Sequence, residues 1–218
     1  MKNFVLLWPT IIHLKIFSIM KRNLLVIFLT CFSLLLMAQQ GFRVNFKGSK
    51  PTITDLAWAY LCHYENDDDE CGDRPALAVK EALSRHRQGL PQEEGVTLRI
   101  DEKNGYILYE FKYESSVIRM EMCYWNEADG KHKLFIFNNM ASFSDGKPCF
   151  TEVSGFEFCR YDNATRKMNY CDAPFEVDYG CTYALPSAGK DIIATQWDAN
   201  GNKKATRTLK WNGRRFKF

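Results

Sequence analysis

The chain has 218 residues, 29 Lys and Arg against 26 Asp and Glu, 46% hydrophobic residues and eight cysteines, for a formal charge of +3. That hydrophobic content is too high, and that charge too low, for an intrinsically disordered chain. The positive excess does not indicate a nucleic-acid binder, because residues 1–38 hold four basic side chains and no acidic one, leaving the remainder at −1.

Two apolar stretches open the chain. The first, Phe4 to Ile19, is broken by Pro9, His13 and Lys15. The second is organised as a secretory signal. Met20-Lys21-Arg22 is a basic start, Leu24 to Met37 an apolar run, and Ala38 a small residue before polar Gln39-Gln40. The run is short for a membrane span. Residues 1–38 are therefore expected to be a signal peptide with an upstream extension, Met20 being the natural start, and 39–218 a single exported domain. The rival reading keeps both stretches as membrane anchors. A lipoprotein route through Cys31 lacks the small residue that should precede it, since Phe28-Leu29-Thr30 stands there. The Ala38-Gln39-Gln40 junction resembles the signal ends of exported Bacteroidetes proteins. The resemblance covers the signal alone and implies a periplasmic, cell-surface or extracellular location, with no activity attached.

After a short strand or lead-in over Gly41 to Lys50, Thr54-Asp55 precedes the dense apolar run Leu56 to Leu61, which predicts a helix over 54–64. His63 to Arg74 (HYENDDDECGDR) then packs six carboxylates around Cys71. Asp73 caps a second predicted helix that starts at Pro75, has Ala76, Leu77, Val79, Ala82 and Leu83 as its apolar side, and stops at Gly89. The helical part thus covers 52–90.

From Val96 to the end the pattern changes to runs of about six residues between turn signals. Asn104-Gly105, Asp129-Gly130, Asp162-Asn163-Ala164, Asn200-Gly201 and Asn212-Gly213 punctuate them. Asn126, Asp162 and Asp198 fall 36 residues apart, either a faint hairpin repeat or turn chemistry recurring by chance. The expected fold is α+β: two helices on one antiparallel meander of eight or nine strands over 96–218, either open or curled toward a barrel. Ile118, Met120, Met122 and Tyr124 should face the core, with Val117, Arg119, Glu121 and Cys123 opposite. Aromatics on both faces of other strands indicate a sheet that is covered twice, closed, or used for binding.

Seven cysteines follow Ala38. In an oxidising compartment they are expected to pair, with one left over. Cys159–Cys171 is predicted across one hairpin taken as symmetric about Thr165, Cys149–Cys181 as the next pair, and Cys62–Cys71 as a staple on the acidic loop. Cys123 is the candidate free thiol. A calcium loop starting at Asp67 would place Asp69 third and Gly72 sixth, with Asp73 beside it. Its fifth position is Cys71 and its twelfth Ala78, so the hard oxygen ligands fail. Zinc through His63 and Cys71 lacks two ligands. No metal or cofactor is expected.

No G-x-S-x-G elbow, HExxH, GxGxxG or phosphate loop is present. Glu110, Glu114 and Glu121 are the carboxylates from which a glycosidase pair would be assembled, although their strand spacing also suits a solvated ladder with Lys112 and Arg119. His86 and His132 read as surface residues. Asn163-Ala164-Thr165 fits a glycosylation pattern at a hairpin tip. The leading expectation is a non-enzymatic exported module binding a protein, small molecule or glycan through its sheet or hairpin tips, with Trp58, Trp125, Trp197 and Trp211 among its sticky surfaces. The rivals are a secreted or envelope hydrolase with a carboxylate or thiol centre, and a structural envelope protein.

Overall fold

The structure is a computed structural model describing residues 41–65, 75–150 and 155–217. The chain from Gly41 onward forms one compact unit. No helix among the described residues is long and apolar enough to cross a membrane.

Helix α1, Ile53–Glu65, is cut at its start by a reciprocal cap. Thr52 Oγ1 accepts from the Asp55 N–H at 3.3 Å, and Asp55 Oδ2 accepts from the Thr52 N–H at 2.9 Å. The cap is thus Thr52, two residues before the expected position. Ile53, Leu56, Ala57, Tyr60 and Leu61 recur at helical spacing and are all buried. Helix α2, Pro75–Arg87, buries Ala76, Val79, Ala82 and Leu83. It ends on Gly89 at φ +69°, which lets Leu90 N–H reach Arg85 O at 2.9 Å and Gly89 N–H reach His86 O at 3.0 Å.

Among the described residues there are twelve strands in two sheets; the turn pattern anticipated the hairpins but not the short strands Lys147–Cys149 and Cys181–Ala184. The large sheet runs in the order β1 (Phe42–Arg43), β8 (Lys167–Tyr170), β7 (Phe156–Asp162), β5 (His132–Ser144), β4 (Ser116–Asn126), β3 (Tyr106–Tyr113), β2 (Val96–Asp101), with β6 (Lys147–Cys149) also on β5. The small sheet runs β12 (Phe216–Lys217), β11 (Lys203–Trp211), β10 (Ile192–Trp197), β9 (Cys181–Ala184). Every described pairing is antiparallel, and the sheets stay open rather than closing into a barrel. The expectation of one meander is therefore corrected to two stacked sheets. The chain leaves the large sheet after Tyr170 and enters the small one at Cys181.

The large sheet is covered on both faces. Ile107, Tyr109, Met120, Met122, Phe135, Phe137 and Tyr161 pack under the two helices. Tyr106, Leu108, Cys123, Trp125, Leu134, Ile136 and Phe158 pack against the small sheet through Phe175, Tyr183, Ile192, Leu209 and Phe216. Residues alternate strictly between the two cores, as the pleat requires. Met120 and Met122 face a core as expected, but so do Glu121 and Cys123, while Ile118 is exposed. The β4–β5 register shifts between Arg119 and Glu121, where two steps on β4 span three on β5. This bulge carries Phe143 to the small-sheet side, where its ring meets Trp197.

Turn chemistry explains the apparent repeat. Asp129 Oδ1 accepts from the Lys131 and His132 N–H groups, Asp162 Oδ1 from Ala164 and Thr165, Asp198 Oδ1 from Asn200 and Asn202, and Asn212 Oδ1 from Arg214 and Arg215. Each hairpin is closed by the same side-chain mimic of a backbone turn. Asn126 plays no such part, since its Oδ1 accepts from Lys133 Nζ. The 36-residue spacing is not a structural repeat.

Cysteine placement departs from the expected bridges. Cys159 pairs with Tyr170 rather than Cys171, because the β7–β8 register is one residue off symmetry about Thr165. A one-residue slip exchanges faces. Cys159 lies in the helix-side core and Cys171 packs against the small-sheet core. Cys123, Cys149, Cys159, Cys171 and Cys181 are free thiols. Burial pushes the Cys123 and Cys159 thiols far above their usual range, and those of Cys171 and Cys181 up to about 11. Cys71, Asp67, Asp69 and Asp73 lie outside the described residues, and with them the proposed Cys62–Cys71 staple. His63, on the last turn of α1, stacks on Phe42 at 4.2 Å.

Candidate functional site at the hairpin tips

Three turns meet at one end of the stacked sheets. The β4–β5 and β7–β8 tips are tied by Asn163 N–H to Lys131 O at 2.9 Å and by Asn163 Nδ2 to Gly130 O at 3.3 Å. The β11–β12 tip joins through Ala128 N–H to Gly213 O at 2.8 Å. Gly213 has φ +94°, and a Cβ there would sit 2.8 Å from Ala128 Cβ, so this close approach needs glycine.

A charged cluster sits across the first two tips. His132 is the cross-strand partner of Asp162. Its Nδ1 shares a hydrogen bond with Asp129 Oδ2 at 2.5 Å, and its Nε2 lies 3.5 Å from Asp162 Oδ2. Arg160 grips Glu127 with a two-pronged fork, Nε to Oε1 at 2.8 Å and Nη2 to Oε2 at 2.5 Å, and stands 3.6 Å from Asp129. The hydrogen bond from His132, reinforced by the Lys131 N–H, lowers the Asp129 carboxyl to about 2. Backbone N–H donors from Thr165 and Ala164 hold Asp162 below the usual carboxylate range.

Glu127, Asp129 and His132 have ligand atoms within 4.8 Å of one another. Arg160 already places a guanidinium against two of the three, supplying the positive charge a metal would bring. The arrangement is a plate of mutually bonded charged side chains at the tips, three carboxylates against Arg160 and His132. The sequence identified His132 only as a tip residue. Its coupling to Asp162 depends on which hairpins lie side by side, which no local pattern records.

The hydrolase carboxylates separate into different roles. Glu110 and Glu121 flank Arg119, at 3.8 and 3.9 Å from its Nε, while Glu114 sits in the exposed β3–β4 turn at φ 50°. Glu121 is only 2% exposed. Its Oε1 accepts from Tyr106 Oη at 2.5 Å, and its Oε2 from the Leu185 N–H at 3.0 Å and Asn138 Nδ2 at 3.3 Å. Asn138 Nδ2 also donates to Tyr183 O at 2.9 Å. Glu121 and Asn138 thus bond the backbone of β9 and the residue after it, fastening the small sheet to the large one. Burial raises the Glu121 carboxyl, and these donors oppose the shift without cancelling it. A raised carboxyl is a general-acid signature, but both oxygens here are engaged and out of a substrate's reach.

Lys133, 5% exposed, donates to Asn126 Oδ1 at 2.5 Å and lies 4.2 Å from the Tyr124 ring centre. Burial, with Lys50 adding repulsion, lowers its ammonium to about 8. A recess of about 90 Å³ between α2 and β2, lined by Ala82, Arg85, Gln92, Val96 and Tyr109, falls well below the ~300–1,000 Å³ of small-molecule sites.

The tryptophans do not form the expected sticky surface. Trp125 is buried and donates to Lys190 O, Trp211 packs on Phe216, Trp197 donates to Thr182, and Trp58 lies 4.5 Å from the Arg87 guanidinium. Compared with protein-family models, with curated proteins and with solved structures, the chain matches none.

Proposed function

We propose that this protein is an exported, non-enzymatic module that binds its partner through the hairpin-tip end. The observation that carries the reading is the cross-linking of three turns into one plate. Loops held rigid on a scaffold lose little entropy on binding. This plate exposes Lys131, Asn163, Thr165, Arg214 and Arg215 while its acidic groups are engaged internally. The partner therefore presents hydrogen-bond acceptors and negative charge, as an acidic protein surface or a charged glycan does. The hydrolase alternative rests on the raised carboxyl of Glu121, whose oxygens are both committed to β9 and its neighbours. Export rests on the Met20 to Gln40 signal pattern.

Site-specific photo-crosslinking in the exporting host tests both parts. A photoreactive residue at Asn163 is expected to capture a discrete partner, and one at Glu114, in a turn on the far side of the strands, is not. Protein recovered from the same cells is expected to begin near Gln39 or Gln40. Equal capture from both positions, or a chain that retains Met20 to Met37, would count against the proposal.

A further inference from the structure

The charges of this chain are segregated along it. Residues 181–218, which carry the small sheet, hold eight Lys and Arg against two Asp, a net +6. Residues 41–180 hold seventeen Lys and Arg against twenty-four Asp and Glu, a net −7. Within 199–218 seven residues are basic and none is acidic. The near-zero sum thus hides two opposite charges, and asymmetry of this kind marks chains that meet a nucleic acid or a membrane.

The small sheet has a defined outer face. Ile192, Ala194, Leu209 and Phe216 point into the core shared with the large sheet. The pleat therefore sends Ile193, Thr206, Thr208, Lys210 and Lys217 outward, and all five are exposed. Lys210 and Lys217 are direct cross-strand partners, a placement in which like charges repel and weaken the strand pair. Two more exposed lysines sit at the β10–β11 irregularity, where Lys203 pairs with Trp197 and Lys204 is the extra residue. Among the described residues no ion pair reaches any of these four lysines. The two aspartates of this part are engaged by main chain, Asp191 Oδ1 by the Trp211 N–H at 3.4 Å and Asp198 Oδ1 by the Asn200 and Asn202 N–H groups.

The shape of this face selects among polyanions. Between the lysines stand only short side chains, Ile193, Thr195, Thr206 and Thr208, so a flat surface can approach all four ammonium groups. Single-stranded nucleic acid is held by stacking on exposed aromatics. The rings of this sheet, Tyr183, Trp211 and Phe216, belong instead to the inner core. A flexible polyanion also meets the acidic remainder of the chain. A bilayer meets only the face turned toward it, and charges farther than ~8–10 Å away are screened at ordinary ionic strength. Lysine, a mobile point charge on a long stem, suits headgroups that move laterally.

We infer that the outer face of the small sheet, through Lys203, Lys204, Lys210 and Lys217, docks on the phosphate headgroups of an anionic lipid bilayer. This face uses none of the side chains assigned to the tip plate, so each reading can fail while the other stands.

The test is sedimentation of protein spanning residues 39–218 with vesicles of equal parts phosphatidylcholine and phosphatidylglycerol, and with vesicles of phosphatidylcholine alone. Saturable binding to the first and none to the second is expected. Raising sodium chloride from about 0.1 M to about 1 M shortens the screening distance from roughly 10 to 3 Å and should release the protein. Each lysine near an anionic surface is worth a factor of about five, so Lys204→Gln, Lys210→Gln and Lys217→Gln together should weaken partitioning about a hundredfold. A control that removes the same charge elsewhere, Lys47→Gln with Lys103→Gln and Lys112→Gln, should bind as the wild type does. All six lysines are exposed, so both variants should melt normally. The inference is overturned by absence of vesicle binding, by equal binding to phosphatidylcholine alone, by binding that survives high salt, or by a loss no greater in the small-sheet variant than in the control. A DNA duplex that binds as tightly at equal phosphate concentration overturns it in favour of nucleic acid. Salt-sensitive self-association without vesicle binding overturns it in favour of the acidic surface of a second copy.

Discussion

Replacing Phe135 by alanine is expected to destabilise the protein by about 3–5 kcal/mol, and replacing its neighbour Ile136 by alanine by about 2–5 kcal/mol. Both side chains are completely buried, on consecutive residues of β5. Phe135 points toward the helices, with its ring 5.5 Å from Tyr60. Ile136 points into the core shared with the small sheet. In a sheet with one solvated face, one of two consecutive positions tolerates truncation. Here each substitution opens a cavity in a different core, so both are costly. A domain of this size loses roughly 2–4 °C of melting temperature per kcal/mol, so each variant should melt about 5–20 °C below the wild type. A normal melt for either variant would mean that one side of the sheet is not covered.

Replacing Glu121 by alanine is expected to cost about 3 kcal/mol, a large part of the ~5–15 kcal/mol that holds a typical domain. The change strands Tyr106 Oη, whose hydrogen-bond partner among the described residues is Glu121, and the Leu185 N–H, and it removes an acceptor from Asn138. An unpaired buried donor costs about 1–3 kcal/mol. Part of that cost is offset because a desolvated carboxylate disappears with the side chain. Glu121→Gln should behave differently. Its carbonyl can face Leu185 and Asn138 while its amide donates to Tyr106 Oη, so the fastening survives. The pH dependence separates the two states of this group. Its folded carboxyl titrates above the ordinary 4.5, so the folded state holds a proton that the unfolded chain has released. Stability from this group therefore falls as pH rises from 4.5 through the folded value, and the loss is complete above it. The Glu121→Gln protein should lack that decline. Asp129 and Asp162 act in the opposite sense. Their folded carboxyls lie below the unfolded value, so their contribution is full above about 4 and is lost as pH falls further.

Much of the local structure was legible in the sequence. The Asp-Gly and Asn-Gly turns, the apolar spacing of both helices and the stop at Gly89 are local chemistry, and the elements form where that chemistry places them. The paired apolar faces of β3 left three readings open, a sheet covered twice, closed or used for binding, and the structure shows the first. The small sheet as a separate layer was not legible, because the stretch from Cys171 to Gly180 carries no signal of whether the next strand pairs in plane or crosses over. Cys159–Cys171 failed on a single residue of register, which the turn sequence alone left open. Glu121 read as half of a solvated ladder. Its burial depends on Leu185 and Tyr183, more than 60 residues later in the chain, being laid over it. The tip plate was visible as three turns but not as one surface, since only the β5–β7 pairing brings His132 to Asp162 and Arg160 to Glu127.

The claim that the tip plate is the recognition surface is tested most directly by charge reversal at exposed positions. Protein spanning residues 39–218 and carrying both Lys131→Glu and Arg214→Glu can be titrated against envelope material from its host cell and compared with wild type and with Glu121→Gln. Lys131 takes part in the turns through its backbone N–H and C=O, and Arg214 through its backbone N–H, so side-chain changes leave these bonds in place and the fold should melt as the wild type does. The account predicts saturable binding by the wild type, unchanged binding by Glu121→Gln, and at least a tenfold loss in the double variant, the equivalent of about 1.4 kcal/mol. Binding by the double variant at wild-type strength would contradict it.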